Sequence, residues 1–143
     1  MSEIENVNYR DIKFEGDSKL IQILDNKIDE DYIEKVISHK KSIIRNTDSK
    51  KLKIVFTSLH GTSYKLIPEI LNKSGFKNLM LVKNQMKPDG NFTNVNSSNP
   101  EDPNSLKEAI KIAKNNNCDL VLGTDPDADR FGIAVKDLSG DFI

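Results

Sequence analysis

The sequence predicts an α/β fold, in which three layers, α/β/α, enclose a small mixed sheet of about four strands. Apolar β-branched segments alternate with amphipathic helical segments over residues 52–122, and this order is typical of a parallel sheet with helices on its faces. A fourth apolar segment follows at 131–135. Because its connection to the third is shorter than the roughly dozen residues of a parallel crossover, the last strand pair is predicted to be antiparallel.

The N-terminal part carries weaker signals. Residues 1–18 are polar and are interpreted as a tail or connector, and the apolar segment 19–24 is compatible with an edge strand or a helical turn. A helix is predicted over about 30–41 with Asp29 as its cap. Its apolar stripe has helical spacing and consists of Tyr32, Ile33, Val36 and Ile37.

The next elements follow in regular order. Residues 52–57 predict a buried strand, and 63–74 predict a helix. Pro68 fits this helix only close to its start, and Gly75 is well placed to end it. A second strand is predicted over 76–83.

A long loop separates the second strand from the next helix. Residues 84–103 contain three prolines with many Asn and Ser residues, and a loop of this length is usually functional or disordered. A helix is predicted from 104 or 105 to about 116, a third strand over 118–122 and a fourth over 131–135.

The composition excludes several classes of protein. The 143 residues suit one domain, and no apolar run approaches the roughly 20 residues of a membrane span. A net charge of −1 argues against a nucleic-acid partner held by bulk charge. A single cysteine, Cys118, excludes an internal disulfide framework, and the polar N-terminus is not a secretory signal. We therefore expect a cytoplasmic protein without a nucleic-acid or membrane partner.

The most informative segment is 123–130, where Asp125, Asp127 and Asp129 alternate directly after a predicted strand. Open α/β sheets place their sites at the carboxyl ends of strands. Three carboxylates so close together repel one another, and a hard cation such as Mg²⁺ or Ca²⁺ relieves that repulsion. The planar guanidinium of Arg130 suits a phosphate.

This segment has two other interpretations, an acidic turn and an EF-hand. A solvated acidic turn has a similar composition, although an apolar strand on either side makes it the weaker interpretation. An EF-hand does not fit, because with Asp125 as position 1 the sequence has Arg130 at position 6 and Lys136 at position 12.

The chain resembles the second domain of the α-D-phosphohexomutases, the phosphoglucomutase and phosphomannomutase family. Residues 123–130, Gly-Thr-Asp-Pro-Asp-Ala-Asp-Arg, match the family's metal loop. The strand and His-Gly turn at 56–62 match in order, as do Pro-Asp-Gly at 88–90 and Asn-Pro-Glu at 99–101. The closest similarity is to the branch of phosphopentomutase and glucose-1,6-bisphosphate synthase-like enzymes.

The resemblance implies a chemistry. These enzymes transfer a phosphoryl group from a phosphoserine to a sugar phosphate, form a bisphosphate, and take the other phosphoryl group back after the intermediate reorients. Mg²⁺ lies between the phosphoserine and three aspartates, which here would be Asp125, Asp127 and Asp129. Arg130 would contact the phosphoryl group or orient the loop.

The same resemblance implies a domain assignment. Residues 1–45 would be a connector and helix from the boundary of a preceding domain, and 46–143 would be the metal-binding domain II, a fragment of a longer enzyme. The phosphoserine loop of the family has no match here, and Ser98, which precedes Asn-Pro, is disfavoured as a nucleophile. We therefore expect no turnover by this chain alone. Its partners would be the other domains and, in the full-length enzyme, a sugar phosphate.

Several further residues have two interpretations each. His60 and Gly61 either form a loop facing the substrate cleft or a structural turn, and the sequence leaves both open. Asp89 suits turn chemistry, Glu101 is predicted to cap or brace the following helix, and Cys118 to be a core thiol.

Two alternatives to a mutase domain remain at this point. One is a Mg²⁺-dependent HAD-type phosphatase, although such enzymes need an aspartate nucleophile after the first strand. The other is a non-catalytic interaction or ligand-binding module with the same fold.

Overall fold

A computed structural model describes residues 7–12, 15–40 and 51–143. Four strands form a mixed sheet in the order β2-β1-β3-β4, which confirms the predicted α/β class. The strands are β1 (Lys53–Thr57), β2 (Asn78–Leu81), β3 (Leu120–Thr124) and β4 (Phe131–Val135). The helices are α1 (Lys27–Lys40), α2 (Leu66–Lys73), α3 (Lys83–Met86) and α4 (Lys107–Asn115), with 3₁₀ turns at Tyr9–Asp11 and Thr62–Tyr64.

Strand pairing sets the position of the loops. β1 runs parallel to both β2 and β3, whereas β3 and β4 are antiparallel, as predicted. Thr57 lies opposite Gly123 in the register of β1 and β3. The loops that follow these two strands therefore leave the same edge of the sheet as neighbours.

Helices cover both faces of the sheet. On one face Val55, Val121 and Ala134 form a core cluster with Ala109 and Ala113 of α4. Side chains alternate between the faces of a strand, so Leu122 and Thr124 point to the opposite face. Both line a small cavity with Ile67 of α2, which places α2 on that opposite face. The three layers predicted from the sequence are present.

The α2 face is covered unevenly. Ile54 and Phe56 of β1 are buried there. At the other end of the sheet Phe131 is 66% exposed, and Ile133 and Val135 are about half exposed. Within the described part of the chain, an apolar surface on β4 is thus left open to solvent.

The N-terminal helix departs from the prediction at its start. It begins at Lys27, whose N–H is accepted by the side chain of Asp25 at 3.0 Å. The predicted cap, Asp29, is wrong, because it lies inside the first turn and forms a 2.6 Å ion pair with Lys65. Ile33 is fully buried, and α1 packs against α2.

The apolar segment 19–24 is not a strand. Residues 18–20 form a turn, no regular structure follows up to residue 25, and Leu20 and Ile23 are almost fully exposed. The edge-strand interpretation is therefore wrong. The predicted domain boundary at 45–46 lies outside the described residues.

The predicted roles of Pro68 and Gly75 at the two ends of helix α2 are confirmed. Pro68 is in the first turn, where a missing N–H costs no helical hydrogen bond. Gly75 has φ +98°, and the N–H groups of Gly75 and Phe76 bond the carbonyls of Asn72 and Leu71. This is the Schellman arrangement, which favours glycine because of its left-handed backbone.

Among the described residues, no helix is both long and apolar enough to cross a lipid bilayer.

We expect α1 to be an integral part of this unit, because Ile33 is fully buried and α1 packs against α2. Ile33→Ala should lower the free energy of unfolding by about 2–5 kcal/mol, the usual effect of deleting a buried isoleucine side chain. Tyr32→Ala is the matched control, since Tyr32 is 55% exposed. Urea unfolding followed by circular dichroism measures both, and equal losses in the two variants would contradict this role.

Candidate metal centre

The carboxylate loop, Asp125–Arg130, is closed by its own backbone. The N–H of Asp125 bonds the carbonyl of Arg130 at 3.3 Å, and the N–H of Ala128 bonds the carbonyl of Asp125 at 3.1 Å. Ala128 has φ +64°, a left-handed conformation that costs an L-residue roughly 1–2 kcal/mol. A small residue at this position meets the demand of the tight turn.

The closed loop brings its three carboxylates together. One oxygen from each of Asp125, Asp127 and Asp129 can be chosen so that all lie within 4.8 Å of one another. Asp125 is 1% exposed, whereas Asp127 and Asp129 are open to solvent. An all-oxygen donor set with an open side fits Mg²⁺, which keeps water or phosphate oxygens in its remaining positions. The structure thus unites the three predicted ligands.

Arg130 binds the buried member of this set. Its backbone N–H donates to Oδ1 of Asp125 at 3.1 Å, and its Nε donates to Oδ2 at 2.9 Å. A carboxylate oxygen has more than one lone pair, so these bonds leave acceptor sites on Asp125. The Nε also lies 3.6 Å from Oδ1 of Asp129. Arg130 is thereby held against the loop, and its two predicted roles stay predictions.

The charges of the loop influence one another. Burial pushes the pKa of Asp125 upward, but the hydrogen bonds and charge of Arg130 outweigh it and hold that pKa below its usual value. A hydrogen bond to Asp125, reinforced by repulsion from Asp127, raises the pKa of Asp129. The three carboxylates are therefore close enough to act as one electrostatic unit.

The Asn-Pro-Glu segment reaches Arg130 from the long loop. Nη1 of Arg130 donates to Oδ1 of Asn99 at 3.4 Å and lies 3.9 Å from Oε1 of Glu101. The prediction that Glu101 braces the following helix is wrong, because α4 begins only at Lys107. The sequence analysis did not single out Asn99 as a neighbour of Arg130. The sequence signal that includes Asn99 is the ordered Asn-Pro-Glu match.

The His60 side chain is 5% exposed. Its Nδ1 lies 2.8 Å from the carbonyl of Lys87, and because a carbonyl only accepts, Nδ1 carries the proton. The ring therefore ties the loop after β1 to the loop after α3. This geometry favours the structural interpretation of His60, and a contact between His60 and a substrate stays a prediction.

Asp89 has the turn role that the sequence indicates. Its carboxylate accepts the N–H groups of Asn91 and Thr93 and the Thr93 hydroxyl. The Thr93 hydroxyl and these backbone bonds lower the pKa of Asp89 to about 2. Asp89 thus holds the Pro-Asp-Gly turn in shape.

The hydroxyl of Ser58 and the thiol of Cys118 are both buried and contact other residues. The hydroxyl of Ser58 is fully buried and donates to the carbonyl of Gln85 at 3.1 Å. Cys118 is buried in the core against Met80, and burial raises the pKa of its thiol. The prediction of a core thiol is confirmed.

The fold and the loop together define an α/β domain with a carboxylate site at the carboxyl edge of its sheet. Residues 30–140 match the family model described as "Phosphoglucomutase/phosphomannomutase, alpha/beta/alpha domain II". The chain belongs to this family. This membership confirms the resemblance and favours the mutase interpretation over the HAD-type one.

Curated relatives and solved structures agree. Phosphoglucomutases of Staphylococcus aureus strains USA300 and N315 are each 44% identical over 104 residues, which cover 73% of this chain and 19% of the relative. A phosphoglucomutase/phosphomannomutase family protein from Burkholderia thailandensis superposes with TM-score 0.61 at 26% identity, over 81% of this chain and 23% of its own. A putative phosphomannomutase from Thermus thermophilus shares the fold, with TM-score 0.60 at 20% identity over 83% and 25%.

The chain aligns with one part of each of these relatives. The chain spans about a fifth of the length of the curated relatives it matches. What they share with it is one domain, and the activity in their names belongs to much longer proteins.

The low pKa of Asp89 leads to a pH-dependent expectation. The ionised carboxylate stabilises the fold above its ordinary unfolded pKa of about 4, and this contribution is lost as the pH falls through about 2. Asp89→Asn should therefore lower the melting temperature at pH 6, with a difference that disappears near pH 2.

Melting curves from pH 2 to 7 test this expectation. Asp31→Asn, at an exposed position on α1, controls for the loss of one negative charge. A deficit of Asp89→Asn that stays constant over this pH range would contradict the assigned role.

Proposed function

We propose that this chain is the metal-binding domain of a phosphosugar mutase and that it holds Mg²⁺ through Asp125, Asp127 and Asp129. The observation that carries the proposal is the convergence of the three carboxylates within 4.8 Å. When bound there, the cation would neutralise charge on a transferring phosphoryl group and help to orient it. Family membership supports the proposal, since the loop is the segment that matches the metal loop of this family.

The residues of this chain would have distinct tasks. Asp125 is the fixed ligand, because both of its oxygens are oriented by Arg130. Asp127 and Asp129 lie on the exposed side of the loop, where a phosphoryl oxygen could approach the same cation. The Arg130 side chain is half exposed, so the part of its guanidinium that bonds neither Asp125 nor Asn99 would be open to a phosphoryl group.

The rest of the catalytic apparatus would come from other domains of a longer mutase. The matched phosphoglucomutases are about five times as long as the aligned segment, and Ser58 is buried and hydrogen-bonded. The apolar surface of Phe131, Ile133 and Val135 suits contact with such a domain. Its substrate class would be a sugar phosphate.

Metal binding by the isolated chain should be weak, because the phosphoserine ligand is missing. A Mg²⁺ titration followed by ¹H–¹⁵N NMR should shift the amides of the carboxylate loop with a dissociation constant above the micromolar range. Asp127→Asn should weaken this binding at least about tenfold without unfolding the protein, since Asp127 is exposed. Asp31→Asn is the charge-matched control.

Two results would count against the metal assignment. One is an unchanged Mg²⁺ response in Asp127→Asn, and the other is an equal loss in Asp31→Asn. If the isolated chain bound Mg²⁺ with micromolar affinity, the site would not need a further ligand. That result would contradict the proposal that another domain supplies a phosphoserine ligand.

The isolated chain should not interconvert sugar phosphates. A coupled mutase assay with Mg²⁺, a bisphosphate activator and a hexose or pentose 1-phosphate measures this directly. Clear turnover that is lost in Asp127→Asn would show that the chain is catalytically complete and would overturn the domain assignment.

A further inference from the structure

The loop after β1 touches the carboxylate loop at its backbone. The N–H of Thr62 donates to the carbonyl of Pro126 at 2.8 Å. Pro126 lies between Asp125 and Asp127, so this bond fixes the peptide that joins two of the proposed ligands. The parallel pairing of β1 and β3 makes the contact possible, since Thr57, the last residue of β1, lies opposite Gly123, one residue before the end of β3.

Gly61 is required by the closeness of this approach. A Cβ at this position would lie 2.4 Å from Cα and 2.6 Å from the carbonyl oxygen of Pro126. Both are backbone atoms, which cannot rotate away as the end of a side chain can. Gly61 has φ −92°, a conformation open to any residue. The glycine is therefore needed for space beside the carboxylate loop and not for its backbone angles.

A second contact fixes the residue before Asp125. The hydroxyls of Ser63 and Thr124 lie 2.6 Å apart, and both side chains are buried. A buried hydrogen bond between two hydroxyls holds both partners in one geometry, because an unpaired hydroxyl there would be costly. Gly61–Ser63 thus contacts the chain on either side of Asp125.

The contacting segment is itself held from the opposite side. Leu59 and His60 have φ +45° and +66°, strained values for residues other than glycine that persist only when surroundings enforce them. The N–H of His60 bonds the carbonyl of Gln85 at 2.8 Å, and its ring bonds the carbonyl of Lys87. The segment Gly61–Ser63 is therefore held in one position beside the carboxylate loop.

We propose that Gly61 and Ser63 are positioning residues that set the shape of the carboxylate loop and thereby its affinity for a divalent cation. The part of this inference that concerns cation affinity rests on the proposed function. The part that concerns the shape of the loop does not. Neither residue offers a ligand to the site. They act through Pro126 and Thr124, which bracket the buried ligand Asp125.

The test compares two glycine variants. Gly61→Ala forces Pro126 to move, whereas Gly90→Ala is the matched control, because a Cβ on Gly90 meets no atom within 4 Å. Metal-free ¹H–¹⁵N spectra report the loop shape through the amides of Asp125 and Asp127–Arg130, and a Mg²⁺ titration of the same samples gives the affinity. Circular dichroism establishes that each variant is folded.

We expect Gly61→Ala to shift the loop amides and to weaken Mg²⁺ binding at least about tenfold, with Gly90→Ala within about twofold of the parent. A folded Gly61→Ala with unchanged loop amides and affinity overturns the inference. If the parent chain shows no response to Mg²⁺, the proposed metal role fails, while the loop amides still decide whether Gly61 shapes the loop.

A second pair of variants decides the matter if Gly61→Ala does not fold. Ser63→Ala removes the hydroxyl that meets Thr124, and Ser139→Ala removes a hydroxyl with an equally short bond to Asp137, beyond β4 and away from the carboxylate loop. Ser63→Ala should shift the amides of Thr124 and Asp125 and weaken Mg²⁺ binding several-fold more than Ser139→Ala. Equal effects of the two variants overturn the inference.

Discussion

Repulsion among three carboxylates in one short loop is the constraint around which this site is built. Asp125 is almost fully buried, and a buried charge without a partner would be costly. Arg130 supplies that partner from within the same loop, with one backbone and one side-chain donor. The pair lets Asp125 stay ionised where water does not reach it, and it leaves Asp127 and Asp129 on the open side.

The site also depends on the topology of the sheet. Two parallel strands deliver their following loops to one edge, and there the backbone of Gly61 lies directly against that of Pro126. The third contributor, the Asn-Pro-Glu segment, comes from a loop distant in sequence and reaches the guanidinium of Arg130. The site is thus assembled from three separate segments, although its three aspartates and Arg130 lie within six consecutive residues.

Much of the fold could be predicted from the sequence, because the apolar periodicity of β1, β4, α2 and α4 reflects which face each element buries. The antiparallel last pair followed from the shortness of its connection. The N-terminal part was predicted less well. The cap is Asp25 and not Asp29, and Asp29 pairs with Lys65, a residue 36 positions away. No local pattern contains such a contact.

The same limit applies to segment 19–24. Its apolar composition suited a strand, yet no described strand lies beside it for pairing, and it remains exposed. Composition reports what a segment could bury, whereas tertiary structure decides whether a partner is present. Glu101 illustrates the reverse case: an acid expected to serve a helix start approaches Arg130 instead.

By itself the sequence indicated an oxygen-donor site, since three aspartates alternate in one short loop directly after a strand. It also determined the α/β class and the family resemblance. Tertiary structure alone decided which aspartate is buried and that Gly61 and Ser63 lie against the loop. These facts depend on distances between segments about 60 residues apart, and such distances are set by strand pairing and packing that no local sequence pattern encodes.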